Sequence, residues 1–145
     1  MKKTLSVILA VIMLVSVTAC GNDAGKSSAA GTASVVVASD PVKEYEISLD
    51  GLDETKGLFA LLDKEEIPYK ESGGFISEVG DLKPAEGEYI YLYTSNEKDF
   101  DVSEYKVEME YNGTKLVSSG VGAKDMTITD GTVIYIGTYI GTITF

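Results

Sequence analysis

The chain has 145 residues, no His, no Arg and a single Cys, and its formal net charge at pH 7 is −11. The missing His and second thiol exclude Ser-His-Asp and Cys-His nucleophilic sites, and zinc sites built on nitrogen and sulfur ligands. Nucleic acid is a polyanion, so a chain this acidic is not expected to bind it. A carboxylate pair of the glycosidase type stays open among 23 acidic residues, but no pair stands out, and we predict no enzyme.

The N-terminal segment predicts a bacterial lipoprotein. Two lysines precede an apolar run over residues 5–17, and the sequence Val-Thr-Ala-Cys follows with small residues before Cys20. The run is too short to span a bilayer, which needs roughly 20 apolar residues. We therefore expect residues 1–19 to be a removed signal peptide and Cys20 to carry a diacylglyceryl lipid. That lipid would hold the protein on the extracellular face of the cell membrane.

Cleavage before Cys20 removes 19 of the 145 residues and leaves 126, which is enough for one domain. The removed segment contains two lysines and no acid, so the net charge becomes −13. Residues 20–40 are rich in Gly, Ala, Ser and Thr, and this composition predicts a flexible tether after the lipidated cysteine. Residues 35–37, three consecutive valines, leave an edge strand open as an alternative. The binding domain is predicted over residues 41–145.

The first elements of that domain are a strand and the only predicted helix. Alternating apolar residues predict a strand over residues 42–49, followed by a turn at Asp50-Gly51. Asp53 is a suitable N-cap for a helix with apolar positions at Leu58 and Leu61, and Pro68 requires that helix to end near residue 66.

The rest of the chain is predicted to be β-structure. The aromatic segment 89–93 is expected to be a central strand, and segment 103–111 alternates as a half-buried strand does. Asn112-Gly113 is the strongest hairpin signal in the sequence. Further strands are predicted over residues 75–79, 115–117, 132–136 and 139–145. The expected fold class is α+β, with one helix packed on a mixed sheet of about five strands.

Several of these segments follow the order of a known family. They are Gly57-Leu58-Phe59-Ala60-Leu61-Leu62, Phe75-Ile76-Ser77-Glu78-Val79-Gly80, Tyr89-Ile90-Tyr91-Leu92-Tyr93, Asn112-Gly113, Gly120-Val121-Gly122-Ala123 and Asp130-Gly131-Thr132-Val133-Ile134. Over residues 42–139 the chain resembles a domain of unknown function related to the C-terminal domain of transcobalamin. That family is common in secreted and lipid-anchored proteins of Gram-positive bacteria. The resemblance implies a β-grasp-like fold. The family usually has Trp after the Tyr of the central strand, and this chain has no Trp, so cobalamin is not implied as the ligand.

An acidic loop after the central strand suggests a cation site. Asp99 and Asp101 alternate with other residues, a spacing that directs carboxylate oxygens to one side, as Ca²⁺ requires. An EF-hand is excluded because Glu104 occupies the position that needs Gly. We therefore predict Asp99, Asp101 and Glu104 as ligands of Ca²⁺ or another divalent cation. A solvated acidic loop at a strand end is the alternative.

The tyrosines of the central strand suggest a second kind of site. Tyr89, Tyr91 and Tyr93 alternate along the strand, so their rings share one face of the sheet. Core packing and an exposed stacking platform for a planar ligand or glycan are both consistent with this pattern. The predicted ligand-binding residues are Tyr91, Tyr93 and Asn96.

Together these observations predict a non-catalytic, lipid-anchored module that captures a small molecule or cation at the cell envelope and hands it to a transporter. The alternative is a structural or adhesive module that binds a protein or the cell wall through a flat surface or a sheet edge such as residues 139–145.

Overall fold

A computed structural model describes residues 31–140, so the signal peptide, Cys20 and residues 141–145 lie outside the described part. The elements are β1 (Thr32–Val37), β2 (Lys43–Ser48), α1 (Leu58–Lys64), β3 (Tyr69–Ser72), β4 (Phe75–Val79), β5 (Glu88–Thr94), β6 (Glu108–Tyr111), β7 (Thr114–Ser118) and β8 (Val133–Ile140). Single turns of 3-10 helix lie at Glu54–Lys56, Glu97–Asp99 and Ala123–Asp125.

Six of the strands form one mixed sheet in the order β2-β1-β8-β5-β7-β6, and β3 and β4 form a separate two-stranded sheet. The pairing of β1 with β8 is parallel, and every other pairing is antiparallel. Helix α1 and the β3-β4 hairpin contribute buried side chains to the same core as one face of the large sheet. The expected combination of one α-helix and a mixed sheet is confirmed for the described residues, but the strands number six plus two instead of five.

The core explains why the helix and sheet pack together. Leu58, Leu61 and Leu62 of α1 are fully buried in the same core cluster as Ile134 and Ile136 of β8. At roughly 25 cal/mol per Å² of apolar surface removed from water, each such side chain contributes about 2 kcal/mol to folding.

The predicted tether is wrong for its last part, because residues 32–37 form β1. This strand pairs with β2 over six residues and with β8 over four, so it is an interior strand and not the edge strand left open as an alternative. Val35, Val36 and Val37 are all fully buried, on both faces of the sheet. The folded domain therefore includes residues 32–37, which the prediction had assigned to the tether.

Two other predictions need correction, and one strand was missed. The strand expected over residues 103–111 contains only β6, because local side-chain bonds shape the first half into turns: Ser103 N–H donates to Asp101 Oδ1 (2.8 Å) and Tyr105 N–H donates to Ser103 Oγ (3.2 Å). The two strands predicted at the C-terminal end are one through Ile140, since Gly137 stays in the ladder opposite Tyr91. Strand β3 was not predicted.

The predicted hairpin turn is confirmed, but Asp53 does not cap the α-helix itself, whose N-cap position is Gly57. Asn112 (φ 48°) and Gly113 (φ 78°) form the two-residue turn between β6 and β7. Asp53 Oδ1 accepts a hydrogen bond from Thr55 N–H and caps the 3-10 turn that leads into α1. The helix ends at Lys64, a little before Pro68.

Candidate functional site

Two adjoining cavities, of about 330 Å³ and 540 Å³, lie beside the first half of β5 and form what we call the β4–β5 groove. They share Phe75 and Ile76 of β4 and Tyr89 and Ile90 of β5. The smaller cavity continues along Tyr91, Leu92 and the segment 119–123, and the larger one along Ser77, Glu78, Lys83, Pro84 and Glu88. Volumes of this size are in the range of ordinary small-ligand sites.

The groove exists because β7 separates from β5. On this side β5 pairs only at Tyr93 and Thr94, with Ser118 and Val117 of β7. The chain then diverges along segment 119–123. Gly120 permits that path, because a Cβ at this position would lie 3.1 Å from the carbonyl oxygen of Phe100. The gap left beside β5 is the smaller cavity.

The hairpin between β3 and β4 forms the opposite wall. Gly73 (φ 61°) and Gly74 (φ 88°) make its turn, and the next residue, Phe75, is 80% exposed. Ile76 is buried in the core and lies at the floor of the groove. An exposed aromatic ring next to apolar walls is suited to a ligand with an apolar body.

Charged groups lie only toward the larger cavity. Glu78 accepts a hydrogen bond from Lys70 Nζ at 2.8 Å, which lowers the pKa of its carboxyl group. Glu88 Oε2 accepts from Ala85 N–H at 3.0 Å, so this carboxylate is already used in holding the loop before β5. The groove therefore has an apolar end near Val121 and a polar end near Glu88.

Only one of the three predicted ligand-binding residues lies in the groove. Tyr91 lines the smaller cavity, whereas Tyr93 and Asn96 line neither cavity. Tyr93 is only 8% exposed, and burial raises the pKa of its phenol. Asn96 holds the chain locally: its Oδ1 accepts from Lys98 N–H, and its Nδ2 donates to Thr127 O at 3.1 Å. A concave site thus exists at Tyr91, but no residue of the loop 95–101 lines it.

Six tyrosines share the face of the large sheet opposite the core: Tyr89, Tyr91, Tyr93, Tyr111, Tyr135 and Tyr139. Neighbouring rings have centroid separations of 5.1–6.2 Å. Only Tyr91 and Tyr139 stack, at 30°, and the other five pairs are inclined by 55–76°. Such inclined rings pack on one another, so the array is not a flat platform and the structure favours the packing interpretation.

The predicted cation ligands do not form one site. Asp99 is 3% exposed, and its two oxygens accept hydrogen bonds from Thr127 N–H and from Thr127 Oγ1 (2.9 Å). Asp101 accepts from Ser103 N–H, which lowers the pKa of its carboxyl group, and Glu104 is exposed. Across residues 31–140 no three acidic, His or Cys side chains form a group that could hold a metal ion. The structure thus does not bring the three predicted ligands together, and Asp99 anchors the loop through Thr127.

Sequence reasoning missed Phe75, Ile76 and Val121 as groove residues. The available signal was the Gly-Gly pair before Phe75, which places an aromatic residue at the tip of a hairpin. No signal in the sequence indicated that β7 would separate from β5 after two paired residues.

The chain matches no known protein family, and no curated protein sequence is significantly similar to it. No helix in the part of the chain from residue 31 to residue 140 has the length and apolar character needed to cross a bilayer.

Proposed function

We propose that this protein is a non-catalytic binding module, anchored by lipid at Cys20 on the extracellular face of the cell membrane, that holds a small ligand in the β4–β5 groove. One observation supports the binding role above all: a preformed groove with apolar walls and an exposed Phe75 at its rim. In the free protein the Phe75 ring is 80% exposed, so its burial does not contribute to the stability of the fold. A ligand with an apolar body would cover it.

The proposal includes the fold relationship. A single helix across a mixed sheet, with a hairpin of β1 and β2 before it, is compatible with the β-grasp-like fold of the domain related to transcobalamin. Binding of a small molecule is the activity that this relationship favours. Of the six tyrosines on the sheet face opposite the core, only Tyr89 and Tyr91 line the proposed site.

A pair of matched variants tests the groove. Val121→Trp would fill the smaller cavity, and Val102→Trp would place the same side chain at a loop position that is 96% exposed and outside the groove. The full chain is screened by thermal denaturation against short peptides, cell-wall fragments, haem and cobalamin. At 100 times its Kd a ligand adds about 2.7 kcal/mol to the free energy of unfolding. We expect a shift that persists in Val102→Trp and disappears in Val121→Trp.

Two results would contradict the proposed site. A stabilising compound that acts equally on Val121→Trp would bind elsewhere on the protein. A screen without any stabilising compound would favour the structural or adhesive alternative. One observation supports that alternative: β8 continues past the end of β1, so Thr138 and Tyr139 have a strand neighbour on one side only within the described residues.

The anchor has a separate test. In Cys20→Ser the lipid acceptor is removed while the folded domain is unchanged, so we expect the protein to leave the membrane fraction and to lose the mass of the diacylglyceryl group. Retention of Cys20→Ser in washed membranes would contradict a lipid anchor at this position.

A further inference from the structure

One edge of β5, the edge directed away from β8, has no strand partner along the β4–β5 groove. Ser119 N–H donates to Leu92 O at 2.8 Å, which shows that the backbone groups of Leu92 are directed toward the β7 side of the strand. Backbone direction alternates along an antiparallel strand, so the N–H and C=O of Ile90 are directed to the same side. Pairing on that side includes only Tyr93 and Thr94. Within residues 31–140, therefore, Leu92 N–H and both backbone groups of Ile90 have no strand partner.

The smaller cavity lies in the plane of the sheet at this edge. Its lining includes Tyr89, Ile90, Tyr91 and Leu92, four consecutive residues whose side chains alternate between the two sheet faces. Four consecutive strand residues can line one cavity only if the cavity lies along their backbone, so it adjoins the backbone edge of β5. The free donors and acceptor of Ile90 and Leu92 therefore face space that a ligand can enter.

This edge lacks the protection that the outer edges of the sheet have. The outer strand β2 carries Lys43, Glu44 and Glu46, and the outer strand β6 carries Glu108 and Glu110. Charged side chains on an edge strand oppose pairing with another chain. Between Tyr89 and Leu92 there is no charged residue. The sheet is thus protected at its two outer edges and left able to accept a strand at the groove.

We infer that the ligand of the β4–β5 groove is an extended peptide segment of another molecule, which adds to β5 as a strand through Ile90 and Leu92. This inference rests on the proposed binding function and narrows its ligand class. A regular row of free N–H and C=O groups is complementary to another extended backbone, which supplies the same groups at the same spacing. Apolar side chains at alternate positions of the peptide would contact Phe75, Ile76 and Val121. The chain's net charge of −11 favours a peptide with positive charge.

The length of the groove sets the length of the peptide. From Glu88 to Leu92 the strand rises about 13 Å, at roughly 3.3 Å per residue, so about five peptide residues would fit beside it. The probe is therefore a pool of heptapeptides in which variable apolar residues alternate with Thr and each end is Lys.

Amide hydrogen exchange of the full chain tests the pairing directly. With a peptide from the pool at 100 times its Kd, we expect exchange at Ile90 and Leu92 to slow by about 100-fold, because only the small unbound fraction exchanges. Tyr91 and Tyr93 are internal controls, since their amides are directed to β8 and already paired there. Their exchange should not change.

Matched peptides provide a second test. N-methylation of an amide that is directed to β5 removes a donor and should weaken binding about tenfold, whereas N-methylation of the next amide, directed away, should leave binding unchanged. Equal effects of the two methyl groups, or peptide binding without protection of Ile90 and Leu92, would overturn the inference. So would a pool in which no peptide binds.

These failures are distinct from failure of the proposed function. If haem or another small molecule is bound and lost in Val121→Trp while every peptide fails, the groove is the site and the peptide inference alone is wrong. If nothing stabilises the protein, both are wrong.

Discussion

Strands β1 and β5 are both interior strands of the same sheet, but their edges are used differently. β1 pairs with β2 over its full length and with β8 over four residues, and its valines are buried on both faces. β5 pairs with β8 over seven residues but with β7 over only two. The comparison shows that a strand inside a sheet does not necessarily have both of its edges fully hydrogen-bonded. The closed strand stabilises the fold, and the incompletely paired one leaves room for a ligand.

Removal of β1 should have the largest effect. A fragment that begins at residue 40 lacks the strand between β2 and β8, and we expect it not to fold, because the facing edges of both neighbours would be unpaired and the core would lose the buried side chains of β1. A fragment that begins at residue 31 is the control and should show cooperative thermal unfolding by circular dichroism. Cooperative unfolding of the shorter fragment would contradict the central role of β1.

Loss of the Asp99 anchor should be the next largest effect. This carboxylate holds the segment around Thr127 against the paired end of β5, and Asp99→Ala leaves two hydrogen-bond donors without their acceptor. We expect the free energy of unfolding in urea to fall by about 3 kcal/mol. Asp101→Ala, in the same loop but at a residue that is only partly buried, is the control and should cost less. Equal costs would contradict the anchor.

Variants of two neighbouring residues in β4 distinguish a role in the core from a role in the groove. Ile76 is buried and packed in the core, so Ile76→Ala should lower the free energy of unfolding by about 2 kcal/mol. Phe75 is exposed, so Phe75→Ala should change it by no more than about 0.5 kcal/mol while weakening ligand binding. Urea denaturation measures both variants. A large loss of stability in Phe75→Ala would show that the ring supports the fold.

The paired end of β5 should also respond to alkaline pH. Burial raises the pKa of the Tyr93 phenol above its ordinary value of 10.0, so folding favours the neutral form. The stability from Tyr93 is therefore complete below pH 10 and is lost as the pH rises through the raised pKa. Thermal melts between pH 8 and pH 12 should show a decline that is shallower in Tyr93→Phe. Parallel curves for the two proteins would contradict this contribution.

Much of the fold was predictable because its signals are local. The Asn112-Gly113 turn, the Asp53 cap and the alternation in β5 each depend on a few adjacent residues. Strand β1 was not predicted because a run of small residues is typical of a tether, and only long-range pairing with β8, about 100 residues later, makes the three valines interior. The candidate site was harder still. It depends on where β7 leaves β5, which is a property of the assembled sheet.

Asp99 shows the limit of composition as a guide to chemistry. Alternating carboxylates predict a cation site when their oxygens are free, but a single buried partner can occupy both oxygens of one residue. Thr127, 28 residues away, donates both hydrogen bonds to Asp99. No local pattern around the acidic loop indicates that partner.

The antiparallel relation of β5 to β8 determines how the domain would be presented at a cell surface. The described chain begins at Gly31, beside the start of β8, where Thr32 N–H donates to Asp130 Oδ1. Glu88, at the polar end of the groove, pairs with Ile140 at the far end of β8. Strand β8 runs from Val133 to Ile140 between these ends, a distance of about 23 Å at roughly 3.3 Å per residue. A chain that enters the domain at Gly31 therefore joins it at the end of the sheet opposite Glu88, so a tether attached there does not cover the polar end of the groove.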